Sequence, residues 1–144
     1  MTYLLDTNVV SEAIRPSPDP HVGAWVTAQS PIDLSISVIT RGEIERGVAA
    51  MAAGARRARV ERWAEVDVPR QFRGRMLPVD EAIALAWGRL MASARVIGRS
   101  LPPVDGLIVA TAEVHGLTLV TRNVADCAGR GVPVLDPWTG TLHP

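Results

Sequence analysis

The sequence contains no lysine, one cysteine, one tyrosine and one phenylalanine among its 144 residues. The missing lysine excludes a P-loop nucleotide site and Schiff-base chemistry, because both depend on a lysine amine. The single cysteine, Cys127, excludes an internal disulfide and a cysteine-built zinc site. No apolar run approaches the ~20 residues that a membrane helix needs, and no basic leader precedes an apolar stretch at the N-terminus. These absences predict a cytoplasmic protein that makes no membrane contact.

The residues that are present describe a globular chain. Hydrophobic residues make up 47% of the sequence, which excludes a disordered protein. All 15 basic residues are arginines, and they balance 15 acidic residues to a formal net charge of zero. The length suits one hydrophobic core, and no linker, repeat or low-complexity tract divides the chain. We therefore expect a single domain over residues 1–144.

Short apolar or β-branched runs alternate with helical patterns along the chain. We predict strands at residues 3–5, 32–37, 75–79, 117–121 and 132–135. We predict helices directly after Asn8 and at residues 21–29, 38–53, 56–66, 81–98 and 103–115, a loop at 69–74, a short helix or turn at 123–131, and a tail at 136–144. This alternation predicts an α/β fold with a five-stranded parallel sheet that is covered by helices on both faces.

Polar side chains follow several of these strands where each one ends. Asp6 follows the first apolar run, Glu43 lies in the first turns of the helix after the second strand, and Asp105 begins the helix before the fourth. Asn123 follows the fourth strand, and Asp126 competes with it for a fourth position. The carboxyl ends of parallel strands meet at one edge of a sheet, where ligands bind in open α/β folds. We expect these groups to lie together there.

Clustered carboxylates repel one another, and burying them without compensation costs on the order of several kcal/mol per ion. A divalent cation removes that cost, and oxygen-only ligands favour Mg²⁺, with Mn²⁺ as a substitute, over Zn²⁺. A cation held in this way activates water and neutralises phosphate charge, which suits phosphodiester hydrolysis. We predict metal binding by Asp6, Glu43 and Asp105, and catalysis by these three acids with Asn123 and Asp126.

Each acid also has a purely local interpretation. Asp6 and Asp105 could cap the helices that follow them, Glu43 could be a solvated helix residue, and Asp126 could lie in a surface turn. Because four independent segments direct polar groups to one edge, the combined placement favours the metal site over the separate local interpretations.

Four segments resemble the PIN-domain nucleases, and in particular the VapC-like toxins and their trafficking-regulator relatives. They are Leu-Leu-Asp-Thr-Asn-Val-Val-Ser-Glu at residues 4–12, Ile-Thr-Arg-Gly-Glu-Ile-Glu-Arg-Gly at 39–47, Val-Asp-Gly-Leu-Ile-Val-Ala-Thr-Ala at 104–112, and Val-Thr-Arg-Asn at 120–123. The resemblance extends to Pro137-Trp138 and therefore covers nearly the whole chain. It implies a PIN-like three-layer fold and a Mg²⁺-dependent ribonuclease.

The resemblance also implies partners and residue roles. The expected partners are an RNA substrate and a small antitoxin, with homodimers or larger complexes, and with DNA contacted only through the antitoxin. By position, Asp6, Glu43 and Asp105 match the three acids of the family, and Thr7, Asn8 and Thr121 are supporting polar residues. The sequence departs from the family at residue 123, where relatives often carry Asp and this chain has Asn.

A run of arginines between residues 56 and 75 has two interpretations. Arg56, Arg57, Arg59 and Arg62 could hold an RNA backbone, or they could form a solvated helix face with pairs such as Arg57–Glu61.

Two alternatives to the toxin nuclease also remain open at this point. One is a PIN-fold module with weak or lost activity that regulates transcription with its antitoxin, and the other is a structure-specific DNA nuclease.

Overall fold

The structure, a computed structural model, describes residues 1–144 and is built on one six-stranded sheet. The strands are β1 (Tyr3–Leu5), β2 (Leu34–Ser37), β3 (Met76–Leu77), β4 (Thr118–Val120), β5 (Val134–Asp136) and β6 (Thr141–His143). Their order across the sheet is β3-β2-β1-β4-β5-β6, and all neighbours are parallel except β5 and β6. The predicted α/β class with five parallel strands is therefore confirmed.

Helices connect the parallel strands. They are α1 (Thr7–Glu12), α2 (Pro20–Ala28), α3 (Val38–Ala49), α4 (Ala55–Arg62), α5 (Val68–Gln71), α6 (Glu81–Val96), α7 (Pro103–His115) and α8 (Val124–Cys127). Asp80 caps α6 by accepting a hydrogen bond from the Ile83 amide at 3.0 Å. Gly116 ends α7 in the left-handed conformation, with φ of 64°, as its position after the helix predicts. None of the helices is both long and apolar enough to cross a membrane.

Both faces of the sheet are covered, which gives the three-layer arrangement. Successive residues of a strand point to opposite faces, so Leu5 and Val120 join one apolar cluster while Leu4 and Leu119 join another. The first cluster also receives side chains from α1 through α5, and the second receives them from α7 and α8. Cys127 is fully buried in the second cluster, as a small apolar residue would be.

The segment after α4 corrects the prediction of a helix over 56–66 followed by a loop over 69–74. A π-helical turn, Trp63–Asp67, follows α4 and leads directly into α5. Pro69 lies in the first turn of α5, where a missing backbone N–H breaks no helical hydrogen bond. The helical path then delivers Phe72, which is 1% exposed, into the core. Burial of this aromatic ring outweighs the tendency of the proline to end the helix.

Other boundaries also differ from the predictions, among them the helix predicted at 38–53, which ends at Ala49, and the strand predicted at 75–79, which covers only Met76–Leu77. The second strand begins at Leu34 and not at residue 32, because Pro31–Asp33 form a 3-10 turn. The tail predicted at 136–144 contains β6, which returns antiparallel to β5 after a turn that includes Gly140 at a φ of 75°. The sheet thus has a sixth strand at the β5 edge.

Candidate active site

Asp6 lies at the carboxyl end of β1, beside the end of β4, and its two carboxylate oxygens are held by three donors. The Thr7 amide donates to Oδ1 at 2.8 Å, and the Thr121 hydroxyl donates to Oδ2 at 2.7 Å. The Asn8 side-chain amide also reaches Oδ2, at 3.3 Å. Asp6 is the N-cap of α1 as well, so the local interpretation of this residue is correct alongside its place at the sheet edge.

Burial and hydrogen bonding have opposite effects on the pKa of Asp6. The residue is 5% exposed, and this burial raises the pKa of its carboxyl above the usual value. The hydrogen bonds from Thr121, Thr7 and Asn8 oppose that rise, and the nearby Glu43 charge adds to it. The carboxylate is therefore fixed in orientation while its negative charge is incompletely compensated.

Asn8 connects the start of α1 to the end of β4. Its side-chain nitrogen donates to Asp6 and to the Thr121 hydroxyl, the latter at 3.2 Å. Its side-chain oxygen accepts from the Arg122 amide at 3.2 Å. One side-chain amide thus joins Asp6, two positions away in sequence, to Thr121 and Arg122, which are 113 and 114 positions away.

Glu43 reaches the same edge from α3. The Thr7 hydroxyl donates to Glu43 Oε1 and also lies 3.3 Å from the Thr40 hydroxyl. Thr40 is fully buried and precedes Glu43 by one helical turn, so both residues occupy the same face of α3. Thr7 therefore links the segment after β1 to the segment after β2. Glu43 itself is half-buried, whereas Glu45 is exposed, as its interpretation as a solvated residue requires.

Asp105 is the third residue of α7 and faces the end of β4. The N-cap of α7 is Pro102, so Asp105 does not cap this helix. The Asn123 side-chain nitrogen donates to Asp105 Oδ2 at 3.0 Å. Partial burial, together with the negative charges of Asp6, Asp126 and Glu43, raises the pKa of Asp105 to about 6 against an ordinary value of 3.8. The four acids therefore interact electrostatically at one edge.

The fourth position is divided between Asn123 and Asp126. Asn123 presents its nitrogen to Asp105, and its backbone amide donates to the Thr121 hydroxyl at 3.0 Å. Asp126 lies in α8 and contributes negative charge that acts on Asp105. Asn123 thus neutralises part of the repulsion, while Asp126 adds to it.

The acids are gathered but do not form a preassembled cage. No three side chains among the histidine, cysteine, aspartate and glutamate residues converge closely enough to enclose an ion by themselves. The chemistry of the set nevertheless fits a divalent cation, because every donor is oxygen. Burial raises the pKa of both Asp6 and Asp105, and the charges of neighbouring acids raise it further, so a cation would relieve unfavourable negative charge there. Such an arrangement can attract a hard cation and orient water beside it.

The arginine run divides between bonded and free side chains. Arg56 donates to the Ile14 carbonyl at 2.7 Å, and Arg57 pairs with Glu61 at 2.8 Å. The predicted helix-face pair is therefore confirmed. Arg59 and Arg62 are exposed on α4 and make no side-chain hydrogen bond or ion pair, so their binding of an RNA backbone stays a prediction.

Sequence reasoning missed Thr40 and the contact between Arg122 and Trp138. Thr40 could have been found from its spacing of three residues from Glu43 on a helix. The guanidinium of Arg122 lies over the Trp138 ring, 4.9 Å from its centroid, just beyond the ends of β4 and β5. No local pattern predicts this pair, because it depends on two strands being neighbours in the sheet.

The sequence and fold of this chain are similar to those of several known proteins. The PIN domain model matches residues 3–125. The toxin FitB of Neisseria gonorrhoeae is 36% identical over 135 residues, which cover 94% of this chain and 97% of FitB. The VapC ribonuclease Y4jK of Sinorhizobium fredii is 38% identical, with coverage of 94% and 96%. The crystal structure of FitAcB from N. gonorrhoeae matches at a TM-score of 0.90 and 36% identity, over 95% of this chain and 99% of that one.

Proposed function

The chain belongs to the PIN-domain family, and on that basis we propose that it is a metal-dependent endoribonuclease and the toxin of a toxin–antitoxin pair. The observation that carries the proposal is the meeting of Asp6, Glu43 and Asp105, from three separate segments, at the carboxyl edge of the sheet. Two similar proteins are named a toxin and a ribonuclease, which supports both parts of the proposal. The active chain is a single domain that acts in the cytoplasm.

Asp6, Glu43 and Asp105 would hold a Mg²⁺ ion, for which Mn²⁺ substitutes. When bound, the ion supplies an activated water and charge neutralisation at the phosphate. Asp6 keeps one orientation because the Thr7 amide and the Thr121 hydroxyl hold its two oxygens. Asn123 and Asp126 adjust the charge around Asp105, and Asn123 contributes a hydrogen bond where an aspartate would contribute repulsion.

Thr7 and Asn8 set the relative positions of the acids. Thr7 donates its amide to Asp6 and its hydroxyl to Glu43, so one residue orients two carboxylates from different segments. Asn8 donates to Asp6 and accepts from the Arg122 amide, which fastens α1 to the end of β4. These bonds reduce the freedom of the site before substrate arrives, and preorganisation of this kind contributes to catalysis.

The proposed protein partner is a small antitoxin. One matching structure, at a TM-score of 0.90 and 35% identity over 95% of this chain and 96% of that one, is of FitAB bound to a DNA fragment. We infer that this chain likewise pairs with an antitoxin, that DNA is contacted through that antitoxin, and that the toxin assembles as a homodimer or a larger complex.

The test of this function is cleavage of total cellular RNA by the purified protein with Mg²⁺, with Mn²⁺ and with chelator, beside Asp6→Ala. We expect metal-dependent cutting that Asp6→Ala loses while its circular dichroism spectrum stays that of the parent. A folded, antitoxin-free preparation that cuts no RNA and binds no Mg²⁺ or Mn²⁺ would instead favour the regulatory binding module.

A further inference from the structure

Arg122 and Trp138 form a pair at the same edge of the sheet as the acids. Arg122 directly follows Thr121, whose hydroxyl donates to Asp6, and directly precedes Asn123, whose side chain donates to Asp105. Trp138 lies two residues beyond the end of β5, the parallel neighbour of β4. The Arg122 guanidinium stacks on the indole with 4.9 Å between its Cζ and the ring centroid. A cation is therefore held at the rim of the acidic site.

Both members of the pair are anchored. The Arg122 backbone amide donates to Asn8 Oδ1 at 3.2 Å, within the network that orients Asp6. The Trp138 backbone amide donates to Asp136 Oδ1 at 2.9 Å, and its half-buried indole packs against the apolar cluster that contains Leu5. The ring is thus a fixed platform, and one face of the guanidinium is fixed on it.

The N–H groups of the Arg122 guanidinium make no hydrogen bond or ion pair with the rest of the chain. Arg122 is exposed, and no carboxylate lies within ion-pair distance of it. Arg130 and Arg75 differ, since Arg130 donates to the carbonyls of Arg99 and Ser100, and Arg75 donates to that of Leu34. A guanidinium whose face lies over a ring still has its N–H donors free along its edge. Two of these parallel N–H groups can bind two oxygens of one phosphate.

We propose that Arg122, held over the Trp138 ring, binds a backbone phosphate of the RNA strand next to the acidic site. The inference rests on the proposed nuclease function, and it assigns the position of the strand relative to the carboxylates. The acids repel the polyanionic RNA, so a cation at their rim is needed to hold the strand while the carboxylates act on the neighbouring phosphate. Arg122 therefore binds phosphate without regard to base, and Trp138 is a positioning residue.

The test measures binding of a fluorescently labelled, randomised single-stranded RNA oligonucleotide in chelator, so that no cleavage occurs. We expect Arg122→Ala to weaken binding about tenfold, because a charge-assisted phosphate contact is lost. The slope of log K against log salt should fall in magnitude by about 0.7, the value for one phosphate of a single strand. Arg89→Ala is the matched control, since Arg89 is exposed on α6 and makes no ion pair.

Conservative variants separate binding from a structural role. Arg122→Lys keeps the charge but loses the planar fork, so we expect it to recover only part of the affinity. Trp138→Phe keeps an aromatic platform and should bind nearly as well as the parent, whereas Trp138→Leu should weaken binding. The indole N–H resonance that disappears in Trp138→Phe should shift in the parent when RNA is added.

The outcomes separate this inference from the function on which it rests. Parent-like binding by Arg122→Ala, in a protein that cuts RNA, would overturn the inference and leave the nuclease intact. Failure of the parent to bind the oligonucleotide would overturn it as well. Arg122-dependent binding by a protein that cuts no RNA would support the subsite and contradict the nuclease.

Discussion

The two halves of the acidic site, around Asp6 and around Asp105, differ in how their charge is compensated. Asp6 is 5% exposed and receives hydrogen bonds from Thr7, Asn8 and Thr121. Asp105 is only partly buried and receives one, from Asn123, while burial, followed by the charges of Asp6, Asp126 and Glu43, raises its pKa to about 6. Asp6 is therefore the more firmly oriented of the two carboxylates, and Asp105 is the more accessible to solvent.

The largest effect is expected from Asp6→Asn, which removes the charge but keeps the size of the oriented group. The new amide faces donors that Asp6 accepted from, so one N–H of the site loses its partner. We expect RNA cleavage to fall at least about a hundredfold, because the cation loses its best-oriented ligand. A variant that folds as the parent does and cuts RNA equally well would remove Asp6 from the site.

Thr121→Val removes a donor to Asp6 while keeping the shape of the side chain. The Thr121 hydroxyl donates to Asp6 and accepts from the Asn123 amide. We expect a loss of about 1–3 kcal/mol in the free energy of unfolding, because buried partners are left unpaired, and about a tenfold loss of activity by the same order of effect. Chemical denaturation measures the change in the free energy of unfolding, and an RNA cleavage assay measures the change in activity.

Thr111→Val is the matched control for that variant. Thr111 is also fully buried, but its hydroxyl donates to the Leu107 carbonyl of its own helix and makes no contact with the acids. We expect a smaller loss of stability and unchanged cleavage. Equal losses of activity in both variants would mean that Thr121 supports the fold and not the orientation of Asp6.

Asn123→Asp adds a negative charge beside Asp105 and so increases the difference between the surroundings of Asp105 and those of Asp6. The variant replaces a hydrogen bond to Asp105 with a repulsion, which raises the pKa of Asp105 further. We expect a lower melting temperature without metal and a several-fold tighter affinity for Mn²⁺, because the ligand charge increases. Asn123→Ala, which adds no charge, should not bind Mn²⁺ more tightly. An unchanged affinity in Asn123→Asp would place residue 123 outside the cation site.

The smallest expected effect is the pH dependence of the metal-free protein. The pKa of Asp105 is higher in the folded chain, about 6, than its ordinary value of 3.8, so the folded state binds this proton more tightly. Ionised Asp105 therefore destabilises the fold above pH 6, and the effect is relieved between pH 6 and about pH 4, the ordinary range of an aspartate. Asp6 acts in the same direction.

Thermal unfolding in chelator at pH 7.5 and pH 5.5 measures this dependence. We expect the parent to melt a few degrees higher at pH 5.5. We expect Asp105→Asn to melt higher than the parent at pH 7.5, with a smaller change between the two pH values. A parent that melts lower at pH 5.5, with Asp105→Asn following it, would contradict the placement of the charge on Asp105.

Sequence reasoning could predict the sheet and the residues at its edge, because strand ends and helix starts are local signals. It could not predict which donors hold Asp6, since Thr121 meets Asp6 only through the pairing of β1 with β4, across 115 residues. It also missed β6, whose three residues are too few to show alternation and pair only because a turn returns them to β5. The helical path through Pro69 depends on burial of Phe72, which is equally non-local.

The central claim, that the two halves of the site hold one divalent cation, is tested most directly by calorimetric titration of Mn²⁺ into the metal-free protein. At pH 7.5 we expect binding in the micromolar to millimolar range (~10⁻⁶–10⁻³ M, as for carboxylate sites), weaker binding at pH 5.5, and loss of binding in both Asp6→Asn and Asp105→Asn. Absence of binding to the folded, antitoxin-free parent, or equal binding by either variant, would contradict the claim.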